Sequence, residues 1–357
     1  MNASKDLASF FGSEPPGEKT NAIRWLQKKV MAASLKLPRE FKSREDWEAF
    51  RTHLRQELPG VIGIPTSPPL RESTVRARIR IGEDAVCERV DVYVDEDYAI
   101  PTFVFSPLRR PDEGPLKPPA GRMPGLVWNP GWPQDKWDRP LQEMAVRMVR
   151  HGFVVITLDH APFGETTPFA PGDKMHSGMT HVMGMGDLLG ISQLALRCAE
   201  TMRVGEYLRS RPEVDPQRVA IAGLCQGGQD TWLTAALDER FCAAAPICSE
   251  STFTVHSAEM ASYYANSDSS PYPFNILKVC DIDHLHAAIA PRPLMVRANL
   301  PDQWWPVSGF DDVETLTRKV YRLYDAEDRL DFRAEVHEHN ITGPFADALE
   351  AFLLKYV

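Results

Sequence analysis

The sequence predicts an α/β protein with a mostly parallel central sheet, helices on both faces and an N-terminal helical extension. After Gly121, short apolar segments alternate with amphipathic segments of helical length, which is typical of a parallel sheet covered on both faces. Between residues 74 and 105, apolar and polar residues alternate as in antiparallel strands. The first 73 residues instead carry apolar residues at helical spacing.

The extension is predicted to contain two helices, at 21–35 and 43–58, followed by a connector at 60–69. Ser43 with Asp46 is a typical helix start, because a serine hydroxyl can accept a hydrogen bond from the first free backbone N–H groups. We therefore divide the chain into a helical extension, residues 1–73, and a catalytic domain, residues 74–357.

The order of the remaining elements follows from the apolar periodicity. Strands are predicted at 76–81, 90–94, 100–105, 126–128, 153–158, 218–222, 242–247, 293–297 and 330–336. Helices are predicted at 142–151, 187–211, 229–237, 313–324 and 345–356. Residues 249–284 interrupt this order and are predicted to form an insertion near the active site.

Composition excludes several classes of protein. The chain has 357 residues, 43% of them apolar and 25% charged, which is the balance of an ordinary globular protein. Its formal net charge of −9 argues against binding to the phosphates of nucleic acids. No apolar run approaches the roughly 18 residues that a membrane-spanning helix needs. We expect neither a nucleic acid nor a membrane as partner.

Two further expectations concern location and assembly. The first residues, MNASKD, lack the charged and then apolar order of a secretory signal, so we expect a cytoplasmic protein. The helical extension could mediate a homodimer. The six cysteines form no CxxC pair, and they are too sparse for a disulfide scaffold, so we expect no metal site.

The most specific chemical signal is the segment RVAIAGLCQGGQD, residues 218–230. It places a G-x-C-x-G-G turn between a strand and a helix, which is the pattern of a nucleophile elbow. The turn would hold Cys225 at a helix N-terminus, where the helix dipole favours the reactive thiolate. The alternative is a buried cysteine beside a glycine-rich packing turn.

A nucleophile of this kind needs a base and an acid that orients the base, and the acid and then the base should follow it along the chain. Asp302 follows the predicted strand 293–297, and its alternative role is that of a turn-forming aspartate. His337 and His339 both follow the last strand, and histidine is the base expected at neutral pH. We favour His339, because it lies further out on the loop.

An oxyanion hole would combine the backbone N–H of Gln226 with an N–H of the loop after strand 126–128. Pro130 and Pro133 have no N–H, so Trp132 is the better candidate donor. Four aromatic residues are candidate substrate-binding residues: Trp304, Trp305, Tyr263 and Tyr264.

Taken together, these features resemble the α/β-hydrolase superfamily over residues 75–357, and within it the dienelactone hydrolase and acetyl xylan esterase-like branch. The motifs that carry the resemblance are RPEVDPQRV at 211–219, GLCQGG at 223–228, AALDERF at 235–241, IAPRPL at 289–294 and DHAPFG at 159–164. Most members use serine as nucleophile, whereas dienelactone hydrolases use cysteine in a similar turn.

The resemblance and the residues together predict a hydrolase that cleaves a carboxylic ester or lactone through a Cys225–His339–Asp302 triad and a thioester intermediate, without a cofactor. A thioester is also open to amines and thiols, so an acyltransferase or thioesterase is the alternative enzyme. A non-catalytic binder on the same fold is the alternative outside enzymes. The sequence leaves the acyl and alcohol parts of the small-molecule substrate open.

Overall fold

Nine strands form one sheet in the computed structural model, which describes residues 22–83, 85–108, 122–167, 175–263, 272–302 and 304–357. The strands are β1 (Thr74–Ile81), β2 (Ala85–Tyr93), β3 (Ala99–Pro107), β4 (Met123–Asn129), β5 (Val154–Leu158), β6 (Val214–Leu224), β7 (Ala244–Ile247), β8 (Leu294–Asn299) and β9 (Leu330–Glu335).

The strand order is β1-β2-β3-β5-β4-β6-β7-β8-β9. The pairs β1–β2, β2–β3 and β3–β5 are antiparallel, and every pair from β5 to β9 is parallel. The predicted fold class, a mostly parallel sheet whose first strands are antiparallel, is therefore confirmed. In such a sheet the loops at the carboxyl ends of the parallel strands lie along one edge, where sites usually form.

Helices cover both faces of this sheet. They are α1 (Ala22–Ser34), α2 (Arg44–Ile62), α3 (Arg139–Arg150), α4 (Met175–Leu189), α5 (Gln193–Ser210), α6 (Gln226–Leu237), α7 (Phe253–Tyr263), α8 (Ile282–Ala287), α9 (Phe310–Arg322) and α10 (Gly343–Tyr356). Among the described helices, none has the length and apolar content that crossing a membrane requires.

The core has two parts because side chains on one strand alternate between the two faces. On β4, Val127 points into the cluster that includes α2, α5 and α6. Its neighbours Leu126 and Trp128 point into the opposite cluster, which includes α3 and α10. Both faces are therefore buried, as the continuous apolar strands predict.

The helical extension packs into the first of these clusters and is not a separate layer. Trp47, Leu54 and Leu58 of α2 are fully buried there. The side chain of Ser43 accepts a hydrogen bond from the Asp46 N–H at 3.2 Å, as predicted. The predicted helix end at 58 is wrong, because the helix continues through Pro59 to Ile62 and ends at Gly63, whose φ of 77° terminates it.

The prediction of one long helix at 187–211 is also wrong. The structure has two helices, α4 and α5, because Gly190 adopts a φ of 71° that interrupts the helical path. Ser192 then begins α5, and its side chain accepts a hydrogen bond from the Ala195 N–H at 3.3 Å. The amphipathic pattern continues across the break, so periodicity alone does not reveal it.

Candidate active site

Cys225 lies in a tight turn between β6 and α6. The strand ends at Leu224 and the helix begins at Gln226, so Cys225 alone makes the turn. Its φ of 59° and ψ of −121° define a backbone conformation that residues other than glycine rarely adopt. Strained backbone of this kind is concentrated at functional sites, where it holds a side chain in position. Cys225 is half-buried, at the N-terminus of a described helix.

Two glycines allow this turn to pack closely. A Cβ atom at Gly223 would lie 2.2 Å from the carbonyl oxygen of Gly227. A Cβ atom at Gly227 would lie 2.2 Å from the carbonyl oxygen of Asn129, at the end of β4. Both distances are far inside van der Waals contact, and the partners are backbone atoms that cannot move alone. The glycine spacing is therefore required by packing.

Gly227→Ala is expected to destabilise the protein by about 1–3 kcal/mol, because the new methyl group must displace the end of β4. Gly60→Ala is the matched control, since a Cβ atom at that helical position would meet nothing within 4 Å. The control should be neutral or stabilising by up to about 1 kcal/mol. Urea unfolding of both variants measures the difference, and equal stabilities would show that the turn is not tightly packed.

His339 and Asp302 form a hydrogen-bonded pair at the same edge of the sheet. The Nδ1 atom of His339 lies 3.0 Å from an Asp302 carboxylate oxygen. The two residues come together because β8 and β9 are parallel neighbours, with Asn299 opposite Glu335, so their loops leave the sheet side by side. The Asp302 side chain is 1% exposed and that of His339 is 18% exposed. The pair is thus largely shielded from water.

The backbone of the loop holds the Asp302 carboxylate in place. Its second oxygen accepts hydrogen bonds from the N–H groups of Trp304, at 2.7 Å, and Trp305, at 3.0 Å. With His339 on one oxygen and two amides on the other, the carboxylate has a defined orientation. This arrangement is an Asx turn that faces a histidine, so the turn-forming role and the site role coexist in one residue.

The other ring nitrogen of His339, Nε2, is buried and makes no hydrogen bond of standard geometry within the described part of the chain. Its neighbour is Cys225. Burial lowers the pKa of His339, but the negative charges of Cys225 and Asp302 outweigh burial and raise it to about 10. The imidazole therefore lies between the Cys225 side chain and the Asp302 carboxylate, and negative charge on either one favours its protonated form.

His337 is in a different environment. Its ring stacks on Phe345, with ring centroids 4.2 Å apart and planes 14° apart. Its ring nitrogens lie 2.6 Å from the carbonyl oxygen of Glu338 and 3.0 Å from that of Thr342. These contacts lie within its own loop and the start of α10. Of the two candidate histidines, His339 is therefore the one that contacts Asp302.

The loop after β4 passes directly under Cys225. A Cβ atom at Gly131 would lie 2.9 Å from the carbonyl oxygen of Leu224 and 3.1 Å from the Cβ atom of Cys225. The Gly131 N–H donates to the side chain of Gln134 at 3.1 Å, so this amide is already used. Trp132 is the next residue along this loop.

A buried ion pair holds this loop from below. The Arg197 guanidinium donates to the carbonyl oxygen of Pro130 at 3.1 Å and to the Asp230 carboxylate at 3.0 Å, and both charged side chains are fully buried. Thr201 donates to the side chain of Asn129 at 3.1 Å. The loop conformation is thus set by α5 and α6, and this network is a positioning feature that the sequence did not reveal.

The four aromatic residues predicted to bind substrate differ in exposure and in whether the structure describes their side chains. Trp304 is 37% exposed beside Asp302, whereas Trp305 is 5% exposed and packs against His256, with ring centroids 4.5 Å apart. Tyr263 ends α7, but its side chain lies outside the described residues, as does all of Tyr264. Substrate binding by these residues stays a prediction.

Two residues that the sequence did not single out also lie at this site. The Cys248 sulfur is within 4.8 Å of ligand atoms of both Asp302 and His339. Such a trio can in principle hold a metal ion, but it uses the same two side chains that form the hydrogen-bonded pair. Glu250 is fully buried, and burial raises its pKa to about 8. Both residues follow β7, the strand next to β6, and that adjacency is the signal that could have found them.

Residues 137–254 match the dienelactone hydrolase family. That match includes Cys225 but is shorter than the predicted resemblance over 75–357, and it does not reach Asp302 or His339. The chain is also 23% identical over 294 residues to the Bacillus subtilis (strain 168) protein named "Putative hydrolase YtaP", covering 78% of this chain and 90% of that protein.

Solved structures extend the similarity over most of the chain. The structure titled "Methylesterase BT1017" has a TM-score of 0.68 at 18% identity, covering 93% of this chain and 68% of that one. A structure described as "a putative acetyl xylan esterase (BF1801) from Bacteroides fragilis NCTC 9343" has a TM-score of 0.66 at 17% identity, covering 92% and 84%. At these identities the similarity concerns the fold. The chain therefore has an α/β-hydrolase fold, and its residues 137–254 match the dienelactone hydrolase family.

Proposed function

We propose that this protein hydrolyses a carboxylic ester or lactone with Cys225 as nucleophile, His339 as acid and base, and Asp302 as the residue that orients His339. One observation carries the proposal: the His339 ring lies between Asp302, at 3.0 Å, and the side chain of Cys225 in its strained turn. The dienelactone hydrolase match and the esterase names of the similar structures support this reaction class.

In the proposed first step, the Cys225 thiolate attacks the substrate carbonyl carbon, and a C–S bond forms while the carbonyl oxygen becomes an oxyanion. The His339 imidazolium then gives its proton to the leaving alcohol oxygen as the C–O bond breaks. The product is a thioester on Cys225. Asp302 holds the imidazole in the orientation that presents Nε2 to the thiol.

In the second step, water attacks the thioester carbonyl carbon while the neutral His339 takes one of its protons. The C–S bond breaks, the carboxylic acid leaves, and the thiolate with its imidazolium is restored. The charge of the oxyanion would be stabilised by the N–H of Gln226, the first in α6 and therefore without an intrahelical acceptor, and by that of Trp132. No external cofactor is required for either step.

Alkylation tests the proposal directly. We expect iodoacetamide to add one carboxamidomethyl group, on Cys225, and to abolish hydrolysis of a panel of aryl and alkyl esters, because the other five cysteines are less accessible or have no histidine partner. Pre-incubation with a slowly hydrolysed ester should protect the thiol. Full hydrolysis after stoichiometric labelling of Cys225 would overturn the cysteine mechanism. Formation of an amide when an amine is added would indicate an acyltransferase.

The pH dependence gives a second prediction. The imidazolium of His339 should persist up to a pKa of about 10 and be lost as pH rises through that value. Because alkyl esters need a proton on the leaving oxygen, kcat/KM for an alkyl ester should fall above about pH 10. Aryl esters have better leaving groups, so their rate should fall less.

Asp302→Asn should shift the fall of kcat/KM at high pH, the basic limb of the pH profile, to lower pH. Removing one of the two negative charges beside His339 lowers the pKa of that residue. The position of the limb is the readout, since the height of the profile also falls when the imidazole loses its orientation. A wild-type limb near the ordinary histidine pKa, or a limb that does not move in the variant, would contradict this electrostatic account.

A further inference from the structure

Cys225 and Cys248 occupy equivalent positions on two neighbouring strands. Leu224 at the end of β6 is paired in parallel register with Ile247 at the end of β7, so the next residue on each strand is a cysteine. The Cys225 N–H donates to the carbonyl oxygen of Ile247 at 2.8 Å, which continues the pairing to the turn itself. Neighbouring strands are about 4.8 Å apart. A disulfide needs Cα atoms about 4.4–6.8 Å apart, so this register suits one.

The two cysteines also share an unusual backbone conformation and a common neighbour. Their φ values are 59° and 55°, and only two other described non-glycine residues have a positive φ. Cys248 has its sulfur within 4.8 Å of a His339 ring nitrogen, and Cys225 is the thiol whose negative charge raises the pKa of that ring. Both side chains are therefore directed to the same imidazole from adjacent strands.

We propose that Cys248 is a resolving cysteine, which captures Cys225 as a reversible disulfide when a peroxide oxidises the nucleophile. The inference rests on the proposed reactivity of Cys225. Cys248 has no part in the hydrolytic mechanism above, and all six cysteines are free in the reduced protein.

The chemistry has two balanced steps. The Cys225 thiolate attacks one oxygen of hydrogen peroxide, the O–O bond breaks, and Cys225 sulfenic acid and hydroxide are formed. The Cys248 sulfur then attacks the Cys225 sulfur, and the sulfenic hydroxyl leaves with the Cys248 proton as water. Cys225 is thereby oxidised and the peroxide is reduced, and a dithiol reductant returns both thiols.

The contrast in environment assigns the two roles. Cys225 is half-exposed at a helix N-terminus, so it meets the oxidant first. Cys248 is fully buried, and burial with the neighbouring charge of Glu250 raises its pKa well above the ordinary value. A neutral buried thiol is inert toward peroxide but can react with a sulfenic acid formed beside it. His339 lies next to both sulfurs and is placed to relay the proton.

The advantage of such a pair is protection of the nucleophile. A sulfenic acid without a partner thiol is oxidised further to sulfinic and sulfonic acids, which ordinary reductants do not reverse. The disulfide stops this sequence at a reversible stage. Peroxide should therefore switch the protein off without destroying it.

The test uses the full-length protein and a covalent readout that does not depend on turnover. After treatment with hydrogen peroxide and blocking of free thiols, intact mass and peptide mapping should show a Cys225–Cys248 cross-link and the loss of two hydrogens. A dithiol reductant should then restore the free thiol of Cys225. Cys248→Ser should give no cross-link and should instead accumulate Cys225 sulfinic acid that the reductant does not reverse.

Cys242→Ser is the matched control, because Cys242 is the other half-exposed cysteine and lies before β7 instead of after it. It should form the Cys225–Cys248 cross-link as the wild type does. Cys248→Ala serves as a second variant if the serine disturbs folding. Equal accumulation of sulfinic acid with and without Cys248, or a cross-link from Cys225 to another cysteine, would overturn the proposal. Absence of any reaction at Cys225 would instead count against the proposed function and would overturn both.

Discussion

Cys225→Ala is expected to lower kcat/KM for ester hydrolysis by about a thousandfold or more, since losing the nucleophile leaves only binding and the oxyanion site. The side chain removed is small and half-exposed, so the melting temperature should stay within a few degrees of the wild type. Steady-state kinetics and thermal unfolding of the same preparation separate loss of chemistry from loss of fold. Near-native turnover in the alanine variant would show that Cys225 is not the nucleophile.

Cys225→Ser sharpens this prediction. A hydroxyl is much less acidic than a thiol and ionises less readily in a site that suits a thiolate, so the serine variant should retain only weak activity. The oxyanion donors are backbone groups and remain in place. Activity between that of the wild type and that of the alanine variant is therefore expected. A serine variant as active as the wild type would mean that the site does not depend on a thiolate.

The tight turn at Cys225 could be predicted from the sequence because its signal is local. A strand, a glycine, one intervening residue, a cysteine and two further glycines lie within a single short segment. The contacts of Gly223 and Gly227 explain why: each approaches a backbone carbonyl so closely that no other residue fits. The spacing of the glycines in the sequence is therefore the spacing that the packing of the turn requires.

The pairing of His339 with Asp302 depends on tertiary structure, and the sequence predicted only the order of the two residues along the chain. Both histidine candidates follow the same strand two residues apart. They are distinguished by the stacking of His337 on Phe345 and by the contact of His339 with Asp302, which the periodicity of the loop does not encode.

Features that arise from contacts between distant segments could not be predicted. The position of Cys248 beside Cys225 results from the parallel pairing of β6 with β7, which the sequence does not specify. The ion pair of Arg197 with Asp230, which holds the loop after β4, joins two helices whose amphipathic patterns give no sign of a buried charge. Likewise, α2 continues through Pro59 because its buried face packs into the core, which outweighs the local preference for ending there.

The second large effect concerns the two histidines, and their comparison tests the site with a matched pair of substitutions. His339→Gln should lower kcat for ester hydrolysis by about two to four orders of magnitude, because glutamine occupies similar space but cannot exchange a proton with Cys225 and the leaving group. His337→Gln should leave kcat nearly unchanged, since that ring packs on Phe345 and faces the carbonyl oxygens of Glu338 and Thr342, away from Asp302.

Stability and activity should separate the two variants differently, because His337→Gln should affect the folding stability more than the turnover. His337→Gln removes a stacked aromatic contact and the local hydrogen bonding of the ring to a backbone carbonyl oxygen, so it should lower the free energy of unfolding by about 1 kcal/mol while turnover persists. Steady-state kinetics, denaturant unfolding and the rate of iodoacetamide labelling should be measured on both. Labelling of Cys225 should slow in His339→Gln alone, because only that variant loses the imidazole that pairs with the thiol in the proposed mechanism. The reverse ranking of turnover would assign the base to His337, and unchanged labelling in His339→Gln would mean that the helix N-terminus activates the thiol by itself.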